Sequence, residues 1–472
     1  MFPFSSSRAG KDLRFRHAAP LILLLVLCAA SLCLGAAPGP RHPRSARASA
    51  STSDPQQEYN EFWAVNSFQD FHSWSLNGVS VRPDLFSARV QLAPHPHLTC
   101  ASTDIDGGAT GYDTQARLCA GTDPMAPGSY NGGMNYYNGG HFYYGTLVSP
   151  VHTTRQPVTT IISSWNANTP DGTWMEVHVR ILEDGSWTHW YDLPIWASDF
   201  STIQRHSVDG QWDSTGGVAT DTFYAQTTAT AYQMGITLFT TTPGITPTLY
   251  RFGVIADSDA PNYTHVPTIA PDKSAWGINL PVPQRSQNLP QYQGLGYGGG
   301  GEVWCSPTST SMVMAYWSNI LGQKNLTQTV PDAAKGTYDF TYDGTGNWPF
   351  NTAYASEFGG IHAFVTRMYS LSQIEQWVKY GVPIVISIAF GPGQLPGATY
   401  STDGHLMVVR GFTSSGDVIA NDPAEGTDDS TVQVVYPREI FQQLWLNASN
   451  GTVYVIYPQF WPTPTADRDG AW

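Results

Sequence analysis

Charge is scarce in this chain: Asp, Glu, Lys and Arg make up 13% of its 472 residues, and the net charge is −14. No run of Lys or Arg follows the leading 36 residues. A phosphate backbone would be repelled, which excludes nucleic acid as an expected partner. Long apolar runs are as rare. The one present, PLILLLVLCAASLCLG at residues 20–35, holds roughly fifteen apolar residues, short of the ~20 that span a bilayer. Arg8, Lys11, Arg14 and Arg16 precede it and small residues close it, so residues 1–36 read as a secretory signal rather than a retained anchor. Lipid attachment at Cys28 or Cys33 would want a small residue in front, where the chain has Leu27 and Leu32. The expected location is therefore outside the cell, secreted or at its surface, with no stable membrane span once the signal is removed.

Cysteine is the third scarcity. Of five, two leave with the signal, and Cys100, Cys119 and Cys305 stay. Cys100 and Cys119 enclose a short polar loop, and in an oxidising compartment such a pair is expected to close as a disulfide. Cys305 is then the odd thiol, either buried and inert or reactive.

What the chain does have is core material: 41% hydrophobic and 13% aromatic residues exclude a disordered chain. The length exceeds one ordinary core, so two domains are expected. After a Pro-, Arg- and Ser-rich linker at residues 37–60, residues 61–268 give short β-branched and aromatic runs broken by Gly, Pro, Asn or Asp, such as VTTIISSW, SWTHWYDL and TLYRFGVIAD. Helical period is almost absent. In TWMEVHVRIL, alternation puts Trp174, Glu176, His178 and Arg180 on one face and Met175, Val177, Val179 and Ile181 on the other, a half-buried antiparallel strand. Several such strands predict an all-β sandwich of unknown ligand.

Other features of this part admit two readings. Asp104, Asp106 and Asp113 could suit calcium but lack an EF-hand's spacing, so a solvated loop is favoured. NGGMNYYNGGHFYYG and the tryptophans could meet a glycan or cell-surface ligand, although core packing explains most of them. His95 and His97 give no convincing metal set, and no metal or organic cofactor is implied.

Residues 269–280 form a proline-rich joint, and 281–460 change character, with a short tail at 461–472. Cys305 and Pro307 open a helix whose Met312, Val313, Tyr316, Trp317 and Ile320 recur at spacing three and four. SLSQIEQWVKYG is a second helix running into the strand VPIVISIAF. Strands at HLMVVRGF, DVIAND, TVQVVY and TVYVIYP surround a short helix at PREIFQQLW. An α+β domain follows, helix first and antiparallel strands later.

A thiolate is the attacking form of cysteine, and a helix N-terminus favours it. The glycines of GLGYGGGG before Cys305 would leave room for a substrate backbone. His405 opens one strand and Asp422 closes the next after a short turn, so a base and a group to orient it are available. Asn421 is the other candidate orienter, but adjacent strand residues point to opposite faces.

The pieces LPVPQRSQ, EVWCSPTSTSMVMAYW, GHLMVVRGF and VIANDPA, in this order, resemble the secreted relatives of the C39 cysteine peptidases in the papain-like superfamily. The resemblance covers roughly residues 280–458. It implies a papain-like domain with Cys305 as nucleophile, His405 as general base and then acid, Asp422 as orienting carboxylate, and Gln287 as a side-chain donor to the oxyanion beside the Cys305 N–H. Gln284, Gln291 and Gln293 lie near Gln287. Where the family has glycine after the cysteine and often before it, this chain has Ser306 and Trp304. The expected function is that of an exported cysteine peptidase acting on a peptide or protein substrate. A peptidoglycan amidase or transglutaminase-like acyltransferase, and an inactive surface or carbohydrate-binding protein, are the alternatives.

Overall fold

A computed structural model gives the structure of the chain and describes residues 60–84, 87–94, 96–99, 118–122, 141–200, 202–258 and 270–464. The signal segment, the linker to residue 59, His95, Cys100 and the loop of Asp104, Asp106 and Asp113 lie outside these residues. The Cys100–Cys119 disulfide therefore stands as a proposal. Among the described residues no helix is long and apolar enough to cross a membrane.

The amino-terminal part holds strands β1 (Asn60–Val65), β2 (Ser75–Asn77), β3 (Val79–Pro83), β4 (Ala88–Leu92), β5 (Pro96–Thr99), β6 (Leu118–Thr122) and β7 (His141–Val148). It continues with β8 (His152–Asn168), β9 (Thr173–Glu183), β10 (Ser186–Trp187), β11 (Tyr191–Trp196), β12 (Gly216–Ala219), β13 (Thr222–Thr240) and β14 (Thr248–Asp257). One short helix, α1 (Phe68–His72), interrupts them; Ser67 and Asp70 close a reciprocal capping box at its start.

The described strands join in one sheet with the spine β3-β4-β14-β8-β13-β7-β6-β5, where the expected sandwich would have two separate sheets. The 19-residue β13 makes the connection. Thr222 to Tyr232 pairs with β8, Ala231 to Thr240 pairs with β9, and from Gly235 onward β7 lies on the other side. Register shifts between Tyr224 and Ala231 mark the place where it changes partners, as bulged strands do at sheet corners.

β9 also departs from expectation. Met175, Val177, Val179 and Ile181 enter the main core as the alternation predicts, but Trp174, Glu176 and His178 on the opposite face are buried too. Ile203 and Val208, from the segment after β11, pack there with Phe142, Tyr144, Trp174, Ile195 and Phe239 as a second apolar cluster. A cover that arrives from elsewhere in the chain leaves no mark on the local pattern.

In the carboxy-terminal part come helices α2 (Cys305–Leu321), α3 (Val330–Thr337) and α4 (Trp348–Ser356), strand β15 (Ile361–Arg367) and helix α5 (Leu371–Lys379). Then follow β16 (Ile384–Phe390), β17 (Thr402–Phe412), β18 (Val418–Asn421), β19 (Gln433–Tyr436), α6 (Arg438–Ser449) and β20 (Thr452–Pro458). The strands form one antiparallel sheet in the order β15-β20-β16-β17-β18-β19. α2 is buried on all sides from Cys305 to Ser318, while Ile320, expected on its apolar face, is 41% exposed. Gly322 ends the helix in the left-handed conformation at φ 69°.

The described residues fall within a single compact unit, and both parts contribute to one hydrophobic core. Arg367 of β15 is buried against Asp257 of β14 and Thr160 of β8. The Asp221 carboxylate accepts the Trp348 N–H at 2.7 Å and so caps α4 from the other part. Residues 276–279 lie against the end of β17, where a Cβ at Gly411 would come within 2.0 Å of the Ile278 carbonyl.

Candidate active site

Helix α2 begins at Cys305, and its first turns are pinned to the sheet. Ser306 bonds the Tyr454 hydroxyl at 2.9 Å, and Ser309, one turn beyond Cys305, donates to the Leu406 carbonyl at 2.9 Å. Leu406 follows His405, so this bond sets the helix start beside the imidazole. Cys305 is 1% exposed and is not in a disulfide.

β17 and β18 form the hairpin expected from the sequence. Val408 pairs with Asn421, and one further step in that register sets Asp422 opposite Met407, on the face His405 shares. The result is a buried pair: His405 Nε2 lies 2.8 Å from Asp422 Oδ1. Asn421 points elsewhere, accepting from Arg410 and donating to the Pro283 carbonyl at 3.1 Å.

The electrostatics of the pair favour separated charge. Burial alone would lower the pKa of His405, but the Asp422 charge, its hydrogen bond and the adjacent Cys305 outweigh it and push the value up to about 10. For Asp422 burial acts upward; the His405 charge and the hydroxyls of Tyr436 and Tyr400 reverse this and hold the carboxyl below its ordinary range. Nε2 is committed to Asp422, so Nδ1 is the nitrogen left for the sulfur, and a cationic ring there stabilises a thiolate.

Gln287 is fully buried, whereas Gln291 and Gln293 are exposed and Gln284 is half-buried. Its backbone N–H donates to the Pro423 carbonyl at 2.9 Å, and its side-chain Nε2 donates to the Glu302 carbonyl at 2.9 Å. It thus bridges the turn after Asp422 and the loop leading into Cys305. Two glycines of that loop serve close approach within the protein, while Gly294, Gly296 and Gly299 face open space: a Cβ at Gly301 would stand 2.1 Å from the Gln287 carbonyl. Gly300, at φ 111°, would meet the Tyr292 carbonyl at 2.5 Å.

Sequence reasoning passed over two tyrosines. Tyr400 donates to both oxygens of Asp422, at 3.0 and 2.8 Å, and lies edge-on to His405 with ring centroids 5.4 Å apart. Tyr436 donates to Asp422 Oδ2 at 2.7 Å from within β19, and the Ala424 N–H adds a bond at 3.0 Å to Oδ1. Tyr436 looks like any core aromatic of a strand, and Tyr400 lies in the loop before β17, so neither carried a signal.

Thiol, imidazole and carboxylate stand together in an arrangement able to generate a nucleophile and shuttle a proton. Comparison with known proteins agrees in kind. Residues 61–257 match the family model described as the peptidase C39 N-terminal domain, and residues 279–453 match that of the peptidase C39-like family. Among solved structures, a candidate C39-like peptidase from Bacillus anthracis is 19% identical over 38% of this chain and 96% of its own, with a TM-score of 0.27. No curated protein matches. Residues 61–257 thus belong to the peptidase C39 N-terminal domain family, and residues 279–453, which contain the cysteine, histidine and aspartate just described, to the peptidase C39-like family.

Proposed function

We propose that the chain is an exported cysteine peptidase that hydrolyses peptide bonds, its carboxy-terminal α+β part being a papain-like domain. The observation that carries this reading is His405, held by Asp422 through Nε2 with Cys305 on its other side at the start of α2. The Cys305 thiolate attacks the substrate carbonyl carbon, and the carbonyl oxygen takes the negative charge. The Cys305 N–H, in the first turn of α2, and the Gln287 side chain receive that oxyanion. His405 gives its proton to the leaving amine, the C–N bond breaks and a thioester remains. Water then loses a proton to His405 and attacks the thioester; the C–S bond breaks, releasing the carboxylic acid and restoring the thiolate beside a protonated His405.

The test is a peptide-library digest with the full chain and its Cys305→Ala variant. Cleavage that requires Cys305 is the expected result. Incorporation of an added amine in place of hydrolysis would reassign the reaction to acyl transfer. Cleavage that persists in Cys305→Ala would remove the sulfur from the mechanism.

A further inference from the structure

Glu176 and His178 are two residues apart on β9, so both leave the same face of the strand, and both side chains are fully buried. Asp192 of β11 stands opposite His178, and Thr237 of β13 stands opposite Glu176. Directly opposed antiparallel residues share a face, so four polar side chains converge from three adjacent strands. His178 Nδ1 lies 2.7 Å from Asp192 Oδ1, and Nε2 lies 3.1 Å from Thr237 Oγ1. Glu176 Oε2 faces the same Nε2 at 3.7 Å, beyond hydrogen-bond reach. Thr146 of β7, opposite Thr237 in the same row, is 5% exposed with a hydroxyl that makes no hydrogen bond.

Besides these hydrogen bonds, the spacings fit a cation. Donors bound at about 2.0–2.2 Å to one ion sit roughly 3–3.5 Å apart, close to the 3.1 and 3.7 Å that separate Nε2 from Thr237 and Glu176. A ligating histidine commonly gives its second ring N–H to a carboxylate, the part Asp192 plays at Nδ1. Glu176 and Asp192 also bring two carboxyl groups to one imidazole, a mixed oxygen and nitrogen donor set. We propose that Glu176 and His178 Nε2, completed by Thr237, hold a divalent first-row cation of the Zn2+ or Mn2+ type, with Asp192 orienting the imidazole. The imidazole nitrogen selects this class over Ca2+ and Mg2+, which prefer all-oxygen sites. The ion ties β9 to β13 directly and to β11 through Asp192, whose side chain is 16% exposed and marks the way in. This inference is independent of the peptidase reading.

The experiment uses the untagged full chain carrying Cys305→Ala, so that the thiol cannot take the metal. The protein is stripped with a chelator, equilibrated with ZnCl2, MnCl2 or CaCl2, and analysed for metal per chain and for Tm. Uptake of about one Zn2+ or Mn2+ per chain with a raised Tm is expected. Glu176→Gln should abolish uptake, and Asp192→Asn should weaken it by roughly 10- to 100-fold. No uptake, uptake unchanged in Glu176→Gln, or Ca2+ bound as tightly as Zn2+ overturns the proposal. If Glu176→Gln does not fold, Asp192→Asn decides, and unchanged affinity there overturns it equally.

Discussion

Two buried histidines in this molecule each rest on an aspartate at nearly the same distance, 2.8 Å for His405 with Asp422 and 2.7 Å for His178 with Asp192. They differ in which nitrogen is held and in what the other meets. In β17 the aspartate takes Nε2 and leaves Nδ1 to a thiol at a helix start. In β9 it takes Nδ1 and leaves Nε2 between a hydroxyl and a second carboxylate. A histidine–carboxylate pair is therefore a mount, and the third group decides what it serves: a soft nucleophile makes it an acid–base device, hard oxygen donors a cage.

The most direct way to break that contrast is to take away the sulfur. Cys305→Ala should lower kcat/KM by about 10^4-fold or more while leaving Tm near that of the wild type, read by peptide hydrolysis and calorimetry. Next is the mount itself. Asp422→Asn should cost about 10^2- to 10^4-fold in kcat/KM, the range attributed to positioned acid–base groups. It should also move the alkaline limb of the pH profile. With Asp422 in place the imidazolium persists until pH rises through about 10; without it, burial is left to pull that limb down. The same shift has a sign for stability. A histidine raised above its ordinary value stabilises the fold fully below that value and loses the contribution as pH climbs through about 10. The depressed Asp422 does the reverse, its contribution vanishing on the acid side as pH falls through its lowered pKa. Chemical denaturation across pH should lose this dependence in the variant. A smaller effect is expected from Gln287→Ala, about 10^2- to 10^3-fold in kcat with KM nearly constant, as for loss of one oxyanion donor.

The pairing of His405 with Asp422 could be read from the sequence and the convergence of Glu176, His178 and Asp192 could not, for physical reasons. Cys305 announces itself through an odd thiol count and a proline two residues on. His405 and Asp422 sit across a tight hairpin, where period-two geometry fixes their shared face. Glu176, His178 and Asp192 lie at equally regular positions, but Glu176 and His178 are buried on the face of β9 where Ile203 and Val208 pack on Trp174 from a separate segment. The same limit hid the path of β13, whose register shifts conceal a 19-residue strand behind a run that starts to look regular only near Ala229. Ile320 kept its place in the helical repeat yet found solvent, because α2 is enclosed over its first fourteen residues and freed only at its end.

The finest test concerns the hydroxyls that hold Asp422 ionised. Tyr436 contributes one bond, 2.7 Å to Oδ2 from a buried position in β19, and burial next to Asp422 drives its own pKa far above the ordinary phenol value. Tyr436→Phe keeps the ring and its stacking on Phe441, 5.8 Å between centroids, and removes only the donor. Tyr400 still serves Oδ2 at 2.8 Å, so the carboxylate is left under-solvated rather than orphaned. The variant should lose about 1–3 kcal/mol of stability, the usual cost of depriving a buried acceptor of a partner. In kcat/KM the loss should be near tenfold, with the acid limb displaced upward because Asp422 takes a proton more readily. Equal stability with an unmoved acid limb would mean that His405 alone fixes the charge of Asp422, and that the tyrosine belongs to the core rather than to the mount.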